Sequence, residues 1–203
     1  MPTQADYSEV AICNLALADI GHGAQITALD EASQAARACR LRFPYTRDAV
    51  LRSFDWNFAA RRARLPQNAI PPAFDDLGAF DLPADCLLVR AVHNPGITRW
   101  EVEGRQILTN SAGPLRVTYT ALITDPRQFD SLFIDAFATR LAADLAMQLS
   151  ENVSRAQNLM QLFQAKLQAA RLRDSQEGEA DHATRSSWLD ARFDRGFVCS
   201  SEG

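Results

Sequence analysis

The stretch that decides the fold is DPRQFDSLFIDAFATRLAADLAMQLS at residues 125–150, followed by ENVSRAQNLMQLFQAKLQAARLR at 151–173. In both halves apolar side chains recur every three or four residues, which is the spacing of one face of an α-helix. They are Ile134, Phe137, Ala138, Leu141, Leu145 and Leu149, and then Ala156, Leu159, Met160, Phe163, Leu167 and Ala170. Because so few residues separate the two stripes, we predict an antiparallel helical hairpin that opens at Asp125-Pro126.

Two more helical patterns lie near the N-terminus. The first is expected to be capped by Asp6, and its apolar residues are Ile12, Leu15, Ala16 and Ile20. The second begins at Asp30 or Ser33, and its apolar residues are Ala36, Cys39, Phe43, Val50 and Phe54. Pro44 removes a helical hydrogen bond, so we expect a kink or a break there, with Thr46 capping a new start.

The middle of the chain has strand patterns instead of helical ones. Phe54, Trp56 and Phe58 alternate and Arg62 and Arg64 continue the alternation, which predicts a strand edge or an extended segment over 54–64. The stretch 66–85 is rich in turn residues. Strands are predicted at 87–92, 100–103, 106–109 and 115–123, with Gly104-Arg105 as a hairpin turn between the second and third of these. This pattern predicts a small antiparallel β region inserted between helical segments.

Together these patterns predict an α+β fold. Residues 1–54 begin a helical body, 55–124 form the inserted β region, and 125–173 complete the body. Residues 174–203 are expected to be a linker, polar over 174–185, and a C-terminal arm. The arm carries Trp188, Leu189, Arg192, Phe193 and Phe197, and it is expected either to dock on a partner or to fold back on its own body.

Composition excludes several classes of protein. With 203 residues, 47% of them hydrophobic, the chain is long enough to bury a core, which excludes a wholly disordered chain and a disulfide-stapled miniprotein. Its four cysteines are widely spaced, so we expect reduced thiols and a cytosol-like compartment. No signal-peptide pattern and no apolar run long enough for a membrane span occur, and no membrane partner is expected.

Charge is unevenly distributed along the chain. The net charge is −4, and every basic residue except Lys166 is arginine. Residues 37–64 hold eight arginines and two aspartates, a net +6, which leaves −10 for the rest. The cluster indicates either a basic face that meets an acidic partner or arginine stems that cover the chain's own apolar surface. GC-rich coding explains the arginine bias equally well.

Motifs for enzyme chemistry are weak. The chain has no nucleophile elbow, phosphate-binding loop or dinucleotide-binding loop, and its histidines are far apart, so neither a metal nor another cofactor is expected. One alternative function is a small hydrolase built on Asp81, Asp85 and His93. A second is a DNA-binding assembly factor that uses Arg61, Arg62 and Arg64, although the overall acidity disfavours it.

An ordered set of short motifs resembles the tail tubular protein A-like head-to-tail adaptors of short-tailed bacteriophages. The resemblance covers nearly the whole chain, and no single motif is specific. The motifs are Ile12 to Leu17 with Ile20-Gly21, Ala35 to Cys39, Arg47-Asp48 with Leu51-Arg52, Trp56 to Ala59, Leu82 to Cys86, Glu103 to Leu108, Asp125-Pro126 with Phe129-Asp130, and Ser187 to Leu189 with Ala191-Arg192.

The resemblance implies a structural protein of the virion, assembled in the host cytoplasm, and not an enzyme. Such adaptors form a dodecameric ring beneath the portal, extend the DNA channel and carry the tail nozzle. For this chain we expect subunit contacts through Arg37, Arg40, Arg47, Arg52, Asp130 and Asp144. We expect the 186–203 arm to reach the portal or a neighbour, and the hairpin with Trp100, Gly104 and Arg105 to face the nozzle. Double-stranded DNA would touch the channel only weakly.

Overall fold

The chain folds into a helical body with two small β-sheets between its second and third helices. The computed structural model describes residues 7–70, 72, 78–97, 99–111, 113–150 and 152–177, and within these the predicted α+β class is confirmed. The helices are α1 (Glu9–Asp19), α2 (Gln34–Arg52), α3 (Ser131–Leu149) and α4 (Val153–Glu177). The strands are β1 (Ala60–Leu65), β2 (Gly78–Asp81), β3 (Cys86–Val92), β4 (Trp100–Glu103), β5 (Gln106–Thr109) and β6 (Leu115–Ala121).

Helix α3 is the centre of the body. It packs against α1, α2 and α4, and most of its residues are buried. Alanines at 136, 142 and 146 are fully buried, and their small side chains let the neighbouring helices approach closely. Residues 150–152 join α3 to α4, and these two helices pack against each other.

The helix starts differ from the prediction in two places. The amide of Ala11 donates to the Ser8 hydroxyl, so Ser8 caps α1, and Asp6 lies outside the described residues. Asp125 caps only a short 3₁₀ turn (Pro126–Gln128), whereas α3 begins after Asp130, whose carboxylate accepts from the amide of Leu132. The cap of α3 is therefore Asp130, an acidic residue that lies five positions after Asp125.

Of the kink or break predicted at Pro44, the break is wrong. Helix α2 runs through this exposed proline without interruption, because its buried face is held against α3 on both sides. The ring centroids of Phe43 and Phe137 lie 4.9 Å apart. Thr46 does not cap a new helix, since its hydroxyl donates to Asp144 Oδ2 at 2.8 Å. Tertiary packing offsets the loss of one helical hydrogen bond.

A carboxylate organises the turn before α2 and makes the stability of this region depend on pH. Glu31 accepts from the Ser33 hydroxyl at 2.6 Å and from the amide and hydroxyl of Thr27 at 2.9 and 3.0 Å. These bonds lower the pKa of Glu31 from 4.5 to about 2. Ser33 in turn caps α2.

Acid is therefore expected to weaken this turn. A carboxyl whose pKa is lower in the folded state stabilises the fold above its unfolded pKa and stops doing so as pH falls through the folded value. The Glu31→Gln variant should thus lose less stability than the wild type between pH 4.5 and pH 2. Urea unfolding across this range measures the difference, and parallel curves for the two proteins would contradict the assignment.

Two three-stranded antiparallel sheets form the β region. The first has the order β1-β6-β3 and the second the order β2-β5-β4. The hairpin predicted around Gly104-Arg105 is present as β4 and β5. Strand β2 lies in the stretch expected to consist of turns, because four residues become a strand here only by pairing with β5. Phe80 of β2 is fully buried in the main core.

The extended segment predicted over 54–64 is confirmed from residue 60 onward, where β1 lies, and is wrong before it. Residues 57–59 form a 3₁₀ turn, and strand structure begins only at Ala60. Trp56 is buried, and its indole NH donates to the carbonyl of Val50 at 3.0 Å. Its ring packs edge-on to Phe133 of α3 with centroids 5.2 Å apart. Aromatic packing on α3, and not strand pairing, shapes this segment.

The end of the helical body also differs from the prediction. Helix α4 continues to Glu177, four residues beyond the expected boundary at 173. The rest of the expected linker and the whole arm with Trp188, Leu189, Arg192, Phe193 and Phe197 lie outside the described residues.

Candidate interaction surfaces

One face of the first sheet is strongly basic. The register pairs Arg62 with Thr118 and Arg64 with Arg116, which places these side chains on the same face of the sheet. Residues directly opposite each other in an antiparallel pair are close neighbours, so Arg64 and Arg116 repel. The alternate residues Ala63 and Val117 belong to the opposite, inner face.

A groove crosses this basic face. Its volume is about 510 Å³, and the basic residues that line it are Arg62, Arg64, His93 and Arg116. The imidazole Nε2 of His93 lies 2.7 Å from the Thr118 hydroxyl, which holds the ring over the sheet. Among the described residues no carboxylate forms an ion pair with Arg62, Arg64 or Arg116. The groove can therefore accept an anionic group from outside.

Another arginine of the same sheet, Arg90, has a structural role. Its guanidinium donates to the Thr120 hydroxyl at 2.8 Å and to the carbonyls of Asp55 and Trp56 at 3.1 and 2.6 Å. The Asp55 carboxylate lies 3.3 Å away. Arg90 thereby links strands β3 and β6 to the segment that follows α2.

Arg61, predicted to act with Arg62 and Arg64, belongs to a different face. It pairs with Tyr119 on the inner side of the sheet, and its guanidinium donates to the carbonyls of Phe58 and Ala60. Burial and the nearby Asp85 carboxylate raise the pKa of Tyr119, whose hydroxyl donates to Asp85 at 3.1 Å. The structure thus places Arg61 on a different face of the sheet from Arg62 and Arg64, and it places Arg116 on the same face as those two.

The hairpin predicted to face a partner has an acidic edge and an apolar side. All four residues of β4 are exposed, including Trp100 at 38% and Val102 at 47%. Gly104 adopts φ +57° at the tip, a conformation that favours glycine. Arg105 points back, since its guanidinium donates to the carbonyls of Pro83 and Cys86. Of the three residues predicted here, only Trp100 and Gly104 are free to meet a partner.

The outer face of α2 combines arginine with exposed apolar side chains. Arg37 and Arg40 are exposed, and so are Leu41 at 59% and Tyr45 at 71%. Residues 37, 41 and 45 lie one above another on the helix. Tyrosine and arginine are the residue types enriched in protein interfaces. This face is suited to contact another protein.

Other residues predicted for subunit contacts are used within the chain. Arg47 is buried, and its guanidinium pairs with Asp48 at 2.8 Å. Arg52 donates to the carbonyl of Leu87. Asp144 accepts from Thr46 and lies 3.3 Å from Arg140. As noted above, Asp130 caps α3.

The residues of the hydrolase alternative do not converge. Asp85 precedes β3 and His93 follows it, which puts them roughly 25 Å apart along an extended strand. Asp81 accepts from the side-chain amides of Asn68 and Gln106, which lower its pKa and keep it ionised. An acid that must deliver a proton near neutral pH needs the opposite shift.

Neither a metal nor a thiol site emerges from the described residues. Among them no group of three or more His, Cys, Asp or Glu side chains could hold a metal ion. Cys13, Cys39 and Cys86 are free and buried. A hydrogen bond with Cys39 and burial raise the pKa of the Cys13 thiol, which makes it a poor nucleophile. Within the same part of the chain no helix is long and apolar enough to cross a membrane.

Sequence comparison adds no relative. No protein-family model matches the chain, and no curated protein matches its sequence. Arg116 and the acidic residues Glu101 and Glu103 are surface features that the sequence patterns do not predict. Each occupies a charged position in an alternating strand pattern, which is a readable signal, but only the strand register shows what lies beside it.

Proposed function

We propose that this protein is a structural subunit of a phage virion, a head-to-tail adaptor that assembles into a ring between portal and tail nozzle. The observation that carries the proposal is the outer face of α2, where exposed Leu41 and Tyr45 stand among arginines. Large exposed apolar side chains beside arginines indicate a surface that is covered in an assembly. The ordered motif resemblance supports the identity of that assembly.

In this proposal each part of the chain has a role in the ring. The helical body supplies lateral contacts, and Arg37 and Arg40 of α2 face acidic surface on a neighbour. The hairpin tip at Gly104 points toward the nozzle, and the arm around Trp188 reaches the portal or the next subunit. An antiparallel α3–α4 hairpin stiffens each subunit. DNA passes through the ring with weak contacts, since the acidic chain repels phosphates. The protein acts without catalysis or a cofactor.

Ring formation is the direct test. The purified chain, alone and mixed with the portal protein of the same virion, is expected to form closed rings visible by negative-stain electron microscopy and by mass measurement. The double variant Leu41→Ser/Tyr45→Ser should lose most of this assembly, because it removes exposed apolar contacts without disturbing the core. Leu15→Ser on α1, also exposed, is the matched control. A chain that remains monomeric under all these conditions would overturn the proposal.

A DNA-binding assembly factor is the second candidate function. The basic groove of Arg62, Arg64 and Arg116 favours it, since guanidinium groups bind phosphates well. Binding through such contacts would weaken steeply as salt concentration rises. The arginine variants described in the next subsection also test this alternative.

A further inference from the structure

Each of the two sheets has two edge strands among the described residues, and β1 of the first sheet and β4 of the second are the edges that could pair with another chain. Within the described residues β1 pairs only with β6, and β4 pairs only with β5. An open edge presents backbone amide and carbonyl groups that can bind an additional strand. Two such edges on one subunit offer a donor and an acceptor for head-to-tail pairing.

The two edges carry opposite charges in the same spacing. Strand β1 has Arg62 and Arg64 on one face, and strand β4 has Glu101 and Glu103 on one face. The intervening residues are apolar on both strands. They are Ala63 and Leu65 on β1, and Trp100 and Val102 on β4.

One antiparallel register of β1 against β4 brings opposite charges together on one face and apolar side chains together on the other. It places Arg62 opposite Glu103 and Arg64 opposite Glu101, so that each charge meets its opposite. The same register places Ala63 opposite Val102 and Leu65 opposite Trp100, so that apolar side chains meet on the inner face. A shift by one residue would put every side chain on the wrong face. Gly104 then falls at the end of the pairing, and the hairpin tip stays free.

We propose that β4 of one subunit pairs in this register with β1 of the next subunit, which joins their sheets into one six-stranded antiparallel sheet. This inference rests on the proposed function, because it adds a second lateral contact between neighbouring subunits of the ring to the one proposed for α2. Pairing of two different edges is a head-to-tail interface, and such interfaces give a closed ring when the rotation from one subunit to the next closes. The order across the boundary would be β3-β6-β1 followed by β4-β5-β2 of the neighbour.

The charges present in a single subunit favour a second copy as the occupant. Arg64 faces Arg116 within the sheet, and an incoming carboxylate opposite Arg64 would relieve that repulsion. Among the described residues Glu101 forms an ion pair with Arg99 at 3.4 Å, and both side chains are exposed, so this pair is easily exchanged. Val102 and Trp100 would lose their exposure to water in the same step.

Charge reversal on each edge tests the pairing. The variant Arg62→Glu/Arg64→Glu and the variant Glu101→Arg/Glu103→Arg should each lose ring assembly by about tenfold or more, because like charges would then face each other. The quadruple variant with all four reversals restores complementary edges and the wild-type net charge. It is expected to recover rings. Arg127→Glu/Arg173→Glu, at two exposed arginines that lie outside β1 and β4, controls for net charge.

The outcomes separate this inference from the proposed function. If the wild type forms rings and the edge variants form them equally well, the strand pairing is wrong while the adaptor role stands. If the net-charge control fails as badly as the edge variants, or the quadruple variant does not recover, the pairing is also wrong. Arginine variants that assemble normally but lose DNA binding would assign the basic face to DNA instead. Far-UV circular dichroism verifies that each variant is folded.

Crosslinking gives a second readout that does not depend on charge. Ala63→Cys and Val102→Cys, combined in one chain, would lie opposite each other across the boundary, about 5 Å apart between Cβ atoms. A short thiol crosslinker should then convert assembled protein into a ladder of covalent multimers. The wild type, with its native cysteines, and each single variant are the controls. Assembled rings that yield no ladder above these controls would overturn the register.

Discussion

Replacing Phe133 by alanine is expected to lower the free energy of unfolding by about 3–5 kcal/mol. Phe133 of α3 is fully buried, and its ring lies 4.9–5.7 Å from the rings of Trp56, Phe58, Phe129 and Phe137. Removing it leaves a cavity that these rings cannot all close, because they come from three different segments of the chain. The loss is a large share of the stability that a typical domain has.

The matched control is Leu132→Ala, one residue earlier on the same helix. Leu132 is 40% exposed, and leucine and alanine have similar helix propensities, so this variant should lose less than about 1 kcal/mol. Urea unfolding followed by circular dichroism measures both. Comparable losses for the two variants would show that the aromatic cluster does not hold α3 to the segment after α2.

The second large effect is expected at Arg90. Replacement by methionine keeps much of the side-chain volume but removes the donors to the part-buried Thr120 hydroxyl and Trp56 carbonyl and to the exposed Asp55 carbonyl. Hydrogen bonds to a charged group are typically worth about 1.5–3 kcal/mol, so we expect a loss of about 2–3 kcal/mol for the network. Urea unfolding measures this loss.

Two comparisons make the Arg90 prediction specific. Arg90→Lys should recover only part of the loss, because one ammonium group cannot reach acceptors that a planar guanidinium spans. Arg62→Met, on the exposed face of the same sheet, should change stability by less than about 0.5 kcal/mol. If Arg90→Met were as mild as Arg62→Met, the guanidinium would not be what joins β3 and β6 to the segment after α2.

Several elements could be predicted from the sequence because their signals are local. The stripe from Ile134 to Leu149 and the Gly104-Arg105 turn act through residues at most four positions apart, and both α3 and the β4–β5 hairpin are present. Strand β2 could not be predicted in this way. Its four residues are extended because β5, about 28 residues further along the chain, pairs with them.

The candidate surfaces likewise combine features that the local sequence predicts with features that depend on tertiary contacts. Alternation in residues 60–65 already separates Arg62 and Arg64 from Ala63, and the excess of arginine over residues 37–64 is plain in the sequence. Nothing local shows that Arg47 is buried beside Asp48 while Arg40 is exposed. That difference depends on which side of α2 meets α3.

By itself, the sequence determined the class of fold, the positions of most helices and the hairpin, and the alternation of charged and apolar residues along β1 and β4. These properties follow from backbone preferences and from side-chain spacing within a few residues. Only the tertiary structure decided that Arg64 faces Arg116, that Arg61 lies on the other face, and that β1 and β4 are edge strands. Strand register and the placement of an edge result from contacts between distant parts of the chain, where burial and hydrogen-bond pairing outweigh local preference.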